Sequence, residues 1–537
     1  MTMAGALDRL FAPDDAARSP RGRAIRAFLF ALWLVLVIAL ARHHVMWRDE
    51  VRALTLAGLG EDLPAMLRAA RGYGHPLLWH LVLRGGLAVL PYHAVLPVMA
   101  LVVAAAAMAL LCFATRLSWP ILALVLFSGF GAYGYSVVAR NYGLSLLLML
   151  LFAERYPAWR DKGLLRAARL GAILALLCNA NVHSVLIAGG LLLFWLAEIL
   201  LGDHGLRRRR LPAWGIAALL VLLGAGIAVW SVYPSVEDLP GAVPGRWPAI
   251  LVQLIPGIAF ARIFGNFLTP WPVMLAAALL VPGSLALFAR RPAALIAAVV
   301  TTALLQLLFV FVYSGHYRHV ALLIPFLLVL HLMTAHVSRR GGRYGVRAER
   351  WGKIAFLLLL LGQWPATARA VVQSWRGQPE SEAAALGRLL HRPDLSDAIL
   401  LAEPDFLIET LPYYGLPNGY SMRQGRFATL VPLRLADSAP MSPTRLLEAA
   451  KALGRARRRP VVILMTEPLD AGAPGRTIDR GPFGPLRLEQ AEVRRFLSAT
   501  ERLARLRGAS GDENYDVFLV RDSCPPTRAC LASPRDR

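Results

Sequence analysis

Charge is scarce in this chain, and lysine is almost absent. Only 17% of the 537 residues are charged, whereas 57% are hydrophobic and the mean hydropathy is +0.51. A soluble protein of this length cannot keep so much apolar surface out of water, so the composition excludes that class and indicates a polytopic membrane protein. Lysine occurs only at positions 162, 353 and 451, which leaves arginine to supply the net charge of +24.

The arginines are concentrated in short loops between apolar runs. The positive-inside rule gives this distribution to the cytoplasmic loops of membrane proteins. The distribution of the positive charge therefore predicts which loops face the cytoplasm. We expect membrane lipids around the protein and no nucleic-acid partner.

Cysteine is also rare, with four residues in two groups. Cys112 and Cys178 lie inside apolar runs, where they are expected to be inert. Cys524 and Cys530 frame a short polar segment near the end of the chain. A disulfide between them would suit an oxidising compartment, with a pair of separate thiols as the alternative.

The apolar runs predict the membrane spans. The candidates are 24–41, 76–91, 94–114, 119–137, 141–153, 169–181, 183–201, 212–231, 271–289, 293–312, 319–336 and 354–371. Residues 1–23 and the arginine-rich loop 155–169 should both be cytoplasmic, so an even number of crossings must separate them. One of the first five candidates is therefore expected to be re-entrant or a half-helix, which leaves about eleven crossings.

The predicted fold is an all-α membrane domain, 24–372, followed by a small α/β domain. Loops 42–75 and 232–270 and the tail 376–537 are expected on the outer side. The tail alternates short β-rich runs, at 398–402, 461–465 and 515–520, with helical patterns.

Asp49 and Glu50 stand side by side just beyond the first span. Charges near hydrocarbon are costly unless they are solvated, paired or used. A carboxylate at this face can accept a proton from a hydroxyl or hold a cation against a phosphate. The alternative is that the pair only stabilises the start of the next helix, where acids are favoured.

Other polar clusters stand where apolar runs meet the predicted outer face. They are His75-Pro76, Arg140-Asn141-Tyr142, Asn181-Val182-His183 and His316-Tyr317-Arg318-His319. Taken one at a time, each cluster has a structural alternative: a polar helix end, an arginine at the membrane interface or a solvated loop. Together they place guanidinium and imidazole donors beside a carboxylate, the groups needed for transfer from a phosphate-linked donor.

The order of these motifs resembles the GT-C fold integral-membrane glycosyltransferases. A first span, an outer Asp-Glu pair, His-Pro-Leu before the second span, Arg-x-Tyr and a late Tyr-Arg follow one another over roughly residues 24–372. Among these enzymes, the chain is most similar to the protein O-mannosyltransferase and 4-amino-4-deoxyarabinose transferase group. The tail residues Glu403, Asp405, Tyr413 and Tyr414 match no motif of the family.

The resemblance implies roles for the site residues. Asp49 is expected to be the catalytic base, with Glu50 as its companion. The residues expected to contact the donor phosphate are Arg140, Tyr142, His316, Tyr317 and Arg318. The residues expected to bind substrate are His75, Asn181 and His183. Arg48, directly before the acidic pair, is expected to lower the pKa of the base through its charge.

The expected activity is transfer of a sugar from a polyprenyl-phosphate donor to a hydroxyl of a glycan, lipid or protein acceptor. Some relatives use a divalent metal such as Mg or Mn and others none, so no cofactor is assigned. The expected location is the bacterial inner membrane, with the N-terminus cytoplasmic and the tail periplasmic. The alternative is a transporter or flippase of a lipid-linked or anionic solute, which would favour inverted repeats and midplane charges. No internal repeat is evident.

Overall fold

The computed structural model describes residues 3–202, 204–233, 247–265, 270–334, 342–431, 439–480 and 484–521. Within these ranges a helical membrane domain is followed by a small domain with a β-sheet, which confirms the predicted fold class. Cys524, Cys530 and much of the loop 232–270, including Glu237 and Asp238, lie outside the described residues.

The helices of the membrane domain follow one another in chain order. They are α1 (Met3–Leu10), α2 (Pro20–His43), α3 (Arg48–Gly58), α4 (Leu63–Ala70), α5 (Leu78–Leu87), α6 (Tyr92–Ala109), α7 (Trp119–Leu126), α8 (Tyr142–Trp159), α9 (Leu164–Cys178), α10 (Val182–Leu201), α11 (His204–Val232), α12 (Trp247–Leu254), α13 (Trp271–Leu285), α14 (Pro292–Phe311), α15 (Tyr317–Val320), α16 (Leu323–Thr334), α17 (Arg343–Leu361) and α18 (Trp364–Trp375). Shorter 3-10 and π-helical segments occupy Asp15–Arg18, Leu110–Ala114, Gly129–Gly134, Ile258–Phe264 and Ala286–Phe288.

The charged residues mark two opposite faces of this bundle. At one face Lys353 pairs with Asp8 at 2.7 Å, and Arg26 lies near the start of α2. At the other face lie Asp49 and Arg140. The α2 helix runs between the two faces, and about 25 Å separates Arg26 from the end of α2 at its 1.5 Å rise per residue.

Eight helical segments among the described residues are long and apolar enough to cross a membrane. They are Pro20–His43, Tyr92–Ala114, Val182–Leu201, Arg207–Val232, Trp271–Phe288, Pro292–Phe311, Tyr317–Thr334 and Arg343–Trp375. Three shorter segments run between the same two faces: α7 with the π-helical turn after it, α8 and α9. The expected total of about eleven crossings stays a prediction.

The segment 76–91, a candidate span, does not cross. Its helix α5 has 10 residues, or about 15 Å, half the thickness of a hydrocarbon core. At its start the backbone N–H of Leu78 donates to the carbonyl of Asn179, and just beyond its end the carbonyl of His93 accepts from the tail residue Tyr413. Both ends therefore lie at the Asp49 face, where α5 packs beside α3. That one of the first five candidates is re-entrant or a half-helix stays a prediction.

The segment 119–137 is broken after α7 into a π-helical turn. The Ser128 hydroxyl accepts the N–H of Gly131 and starts this turn. A Cβ at Gly129 would lie 2.4 Å from the Tyr317 hydroxyl, and one at Gly131 would lie 2.1 Å from a carbonyl oxygen. Glycine is needed at both positions for this close packing, and the turn carries Tyr133 toward the Asp49 face.

The tail forms an α/β domain on the Asp49 face. Its strands are β1 (Ile399–Glu403), β2 (Gly419–Ser421), β3 (Arg426–Ala428), β4 (Val461–Met465), β5 (Arg476–Ile478), β6 (Leu486–Leu488), β7 (Thr500–Leu506) and β8 (Tyr515–Val520), and its helices are α19 (Ala383–Leu390), α20 (Pro443–Arg457) and α21 (Gln490–Ala499). The main sheet has the order β3-β2-β1-β4-β8-β7, with β1 parallel to β2 and β4, and β5 pairs with β6. The three predicted strands are confirmed as β1, β4 and β8.

Candidate active site

The fully buried side chain of Glu50 connects two segments of the chain through hydrogen bonds. Its carboxylate accepts the backbone N–H of Ala139 at 2.6 Å and that of Trp47 at 3.2 Å. It also pairs with His44 Nε2 at 2.9 Å. The contact with Trp47 stabilises the start of α3, as the helix-start interpretation predicted, and the contact with Ala139 fixes the position of Arg140, the next residue.

His44 supplies the positive charge that Glu50 needs in this buried place. Burial lowers the pKa of His44, but the ion pair and hydrogen bond with Glu50 outweigh it, and the pKa is raised above its usual value. In the protonated form Nε2 donates to Glu50 and Nδ1 donates to the Tyr133 hydroxyl, 3.1 Å away. The oxygens of Glu50 are thus engaged by three donors, which hold this side chain in place.

Asp49 differs from the buried Glu50 in that its side chain is 34% exposed. Its Oδ2 lies 3.8 Å from Arg140 Nη2, and its Oδ1 lies 3.6 Å from Arg48 Nε. Burial would raise the pKa of Asp49, but the charges of Arg140, Arg48 and Arg318 hold the pKa well below its usual value. Asp49 is therefore a carboxylate across the physiological pH range and opens to solvent.

Arg140 connects Asp49 to His75. Its Nη1 donates to the main-chain oxygen of Asp49 at 2.5 Å, and its Nη2 donates to His75 Nε2 at 2.7 Å. Burial and the nearby Arg140 charge lower the pKa of His75 well below its usual value, so the ring is neutral and accepts this hydrogen bond. His75 orients the guanidinium group, which is itself 8% exposed.

Arg318 brings a third guanidinium group near Asp49, after those of Arg48 and Arg140. The group lies over the Trp47 ring, 5.1 Å from its centroid, and Nε is buried without a hydrogen-bond partner among the described residues. The main-chain oxygen of Arg318 accepts the Tyr135 hydroxyl at 2.8 Å, which fixes the turn that bears it. A buried donor without a partner is costly unless a ligand satisfies it, and here an anion fits.

A cluster of rings centred on His319 adjoins the two arginines. The ring centroid of His319 lies 4.8 Å from that of His183, 5.0 Å from Tyr313 and 5.4 Å from Tyr142. The Nδ1 atom of His319 accepts the backbone N–H of His316 at 2.9 Å. Of the predicted residues, Tyr142, His183 and His316 thus lie together.

Two predicted residues make contacts inside the bundle instead. The Tyr317 hydroxyl donates to Gln363 Oε1 at 2.7 Å. Asn181 accepts the N–H of Ser184 through its side-chain oxygen at 2.9 Å, and so caps α10, while its amide donates to Ser145 at 2.7 Å. These contacts give Tyr317 and Asn181 structural functions, and their expected substrate contacts stay predictions.

Four residues of the site have no role in the sequence-based prediction: His44, Tyr133, Tyr313 and His319. His319 lies in the same short polar segment as Arg318, so its position was a usable signal. His44 is six residues before Glu50, but its contact with Tyr133 joins segments 89 residues apart, which no local sequence pattern indicates.

The described residues around Asp49 do not offer the oxygen-rich ligand set of a divalent metal site. Glu50 is engaged by three donors, and two guanidinium groups flank Asp49. Within the described ranges, no group of three or more His, Cys, Asp or Glu side chains is arranged to hold a metal ion. The arrangement instead suits an anion beside a carboxylate.

Two cavities lie away from the Asp49 cluster. One of about 610 Å³ is in the tail, beside Leu469, Arg476 and Arg502, and one of about 270 Å³ is at the opposite membrane face, beside Phe11 and His331. The Asp49 cluster is compact and reaches solvent through the Asp49 carboxylate itself.

No protein-family model matches the chain, and no curated protein matches it. Among solved structures it is similar to the arabinofuranosyltransferase AftD from Mycobacteria, with a TM-score of 0.41 and 15% identity over 93% of this chain and 40% of AftD. It is also similar to ArnT from Cupriavidus metallidurans bound to undecaprenyl phosphate, with a TM-score of 0.47 and 11% identity over 93% of this chain and 99% of ArnT. The chain thus spans less than half the length of AftD. At these TM-scores and identities the similarities assign no role to any residue.

Proposed function

We propose that the protein is a membrane glycosyltransferase that moves a sugar from a polyprenyl-phosphate donor to a hydroxyl of an envelope acceptor. The observation that supports this most strongly is the ionised, partly exposed Asp49 carboxylate beside Arg140 and Arg318. The unsatisfied Nε of Arg318 offers a hydrogen bond to an anionic group at the same place.

The chemistry follows from these three groups. Arg318 and Arg140 hold the donor phosphate through charge-assisted hydrogen bonds, which also stabilise the charge that develops as it leaves. The acceptor oxygen attacks the anomeric carbon from the opposite side, forming the new C–O bond while the bond to the phosphate oxygen breaks. Asp49 accepts the hydroxyl proton, and the polyprenyl phosphate departs with the bonding electron pair. The sugar carbon is inverted.

The orientation proposed for the reaction is outward, at the periplasmic face of the inner membrane. Lys353, Arg26 and the arginine-rich loop after α8 lie at the face opposite Asp49. The positive-inside rule assigns that face to the cytoplasm. The site and the tail domain then lie in the periplasm, where lipid-linked sugars serve as donors.

An Asp49→Asn variant tests the function. The carboxamide keeps the shape of the side chain but cannot take up the proton, so we expect sugar transfer to fall by a factor of about 100 or more, which starts at the lower end of the usual contribution of a general base. Glu61→Gln is the matched control, since Glu61 is an exposed acid of the same outer loop.

The assay is mass spectrometry of envelope lipids and glycans from the native host lacking the gene, complemented by each variant. Wild type and Glu61→Gln should restore the same sugar-bearing species, and Asp49→Asn should not, at equal abundance in the membrane. Restoration by Asp49→Asn at the wild-type level would remove Asp49 as the base. A deletion strain that loses no sugar-bearing species would instead favour transport of a solute.

A further inference from the structure

The tail domain touches the first outer loop on both sides of Asp49. Before it, the Tyr414 hydroxyl donates to the main-chain oxygen of Met46 at 2.7 Å. Directly before it, Glu513 Oε1 accepts the backbone N–H of Arg48 at 2.8 Å. After it, Arg52 Nη1 lies 3.6 Å from Glu409 Oε2. We call these three the docking contacts.

Glu513 is firmly seated within the tail before it reaches the loop. Its side chain is buried, and its Oε2 accepts the Ser381 hydroxyl at 2.6 Å. Its main-chain oxygen accepts the N–H of Glu382 at 3.0 Å, and two residues later β8 begins. A carboxylate held in this way has little freedom, so the N–H of Arg48 is held at a defined point.

The side chain of Arg48 also contacts the tail. Its guanidinium group lies 4.0 Å from the centroid of the Phe406 ring and 3.4 Å from Asp512 Oδ2. The same group is 3.6 Å from Asp49 Oδ1. The tail therefore competes with Asp49 for Arg48 and limits how closely this cation approaches the carboxylate.

The third docking contact is reinforced by the main chain. Arg52 Nη2 donates to the carbonyl of Val431 at 3.1 Å. The N–H of Val431 in turn donates to Glu409 Oε1 at 2.8 Å, so the buried Glu409 is held at the place where it meets Arg52. The first turn of α3, which carries Asp49, is thus fixed by the tail at its start and one turn later.

From the membrane side the same turn is held by Glu50 and by Arg140, which donates to the main-chain oxygen of Asp49. We propose that the tail domain is part of the active site, with Glu513 as a positioning residue that fixes Asp49 through the main chain of Arg48. This inference rests on the proposed function. A displacement of about 1 Å at a reacting group is enough to lower a rate 100-fold, so the docking contacts have a direct effect on transfer.

The test compares Glu513→Ala with Glu513→Gln in the full chain. Alanine removes the acceptor for the Arg48 N–H, whereas glutamine keeps an acceptor oxygen and can donate to Ser381. We expect Glu513→Ala to lower the initial rate of formation of the sugar-bearing envelope species at least tenfold, and Glu513→Gln to restore at least half of the wild-type rate. Glu448→Ala is the control, because Glu448 forms an exposed ion pair with Arg495 on the same domain, away from the loop.

Two measurements separate positioning from a general structural defect. In hydrogen–deuterium exchange of the purified protein, Glu513→Ala should speed exchange in a peptide covering residues 46–53, with no change in α14 or β4. Binding of undecaprenyl phosphate, used as the probe, should stay within about twofold of wild type, because Arg140 and Arg318 are untouched.

The inference is overturned if Glu513→Ala transfers sugar at the wild-type rate. It is also overturned if both Glu513 variants lose transfer together with undecaprenyl phosphate binding, since that result indicates a folding defect. Asp49→Asn runs in parallel and keeps the two proposals apart. Transfer by Asp49→Asn refutes the base, whereas transfer by Glu513→Ala with an inactive Asp49→Asn refutes only the positioning.

Discussion

The two neighbouring acids should respond to amide substitution in opposite ways, and Glu50→Gln is the more informative change. Each oxygen of Glu50 accepts from at least one N–H donor: Oε1 from Ala139, and Oε2 from Trp47 and His44. Whichever oxygen becomes the –NH₂ group of glutamine then faces another donor. The buried charge of His44 also loses its partner. Breaking a buried pair by removing one member costs about 3–5 kcal/mol, so Glu50→Gln should be strongly destabilising.

Thermal unfolding of the purified protein in detergent measures this cost. We expect the midpoint for Glu50→Gln to fall by several degrees, and the fraction of folded protein in membranes to fall with it. The free energy of unfolding of Asp49→Asn should lie within about 1 kcal/mol of the wild-type value. The reason is that the ion pairs of Asp49 are long, at 3.6 and 3.8 Å, and its side chain is one-third exposed. The variant should nevertheless lose transfer. A Glu50→Gln variant that unfolds like wild type but transfers no sugar would show that Glu50 acts in the chemistry, and the assignment of roles would be wrong.

Three further outcomes follow from the charges at the site. Arg48→Ala removes one of the cations that lower the pKa of Asp49, so this pKa should rise. Since a carboxylate is a base only above its pKa, the loss of transfer at acid pH should move to higher pH. A rate profile from pH 3.5 to 7.5 measures this shift. Burial raises the pKa of Glu513 from 4.5 to about 7, so the folded state binds this proton more tightly than the unfolded state does. The free energy of unfolding should therefore decrease by about 3 kcal/mol as the pH rises from about 4.5 to 7. Thermal midpoints should show this slope in wild type and not in Glu513→Gln. Arg318→Lys keeps the charge but loses the planar set of donors, and undecaprenyl phosphate binding measured by native mass spectrometry should weaken about tenfold.

The membrane architecture was largely predictable because its signals are local. Apolar runs and arginine-rich loops predict which segments lie at each face, and the even count predicts a segment that does not cross. The sequence could not place both ends of α5 at one face, since its apolar residues resemble those of a true span. What places them there are contacts with Asn179 and with Tyr413, which lie far away in the chain.

The site was predictable in its charges and not in its pairing. Asp49, Arg140 and Arg318 follow from polar residues at the ends of spans on one face. The different tasks of Asp49 and Glu50 depend on which of two adjacent side chains turns inward, and the partners of Glu50 are His44 and the N–H of Ala139. The contacts of Arg48 with Asp512 and Glu513 join residues more than 460 positions apart, which no periodicity or motif can indicate.

The low pKa of Asp49 has a consequence for the order of events in the proposed reaction. Without a donor, the charges of Arg140, Arg48 and Arg318 make this carboxylate a weak base. A donor phosphate bound to Arg140 and Arg318 brings a negative charge that offsets two of these cations, and the pKa of Asp49 then rises. Arg48 is partly compensated by Asp512 on the tail, so its influence on Asp49 is already reduced. The base gains strength when the donor is in place, which favours binding of the lipid-linked sugar before deprotonation of the acceptor.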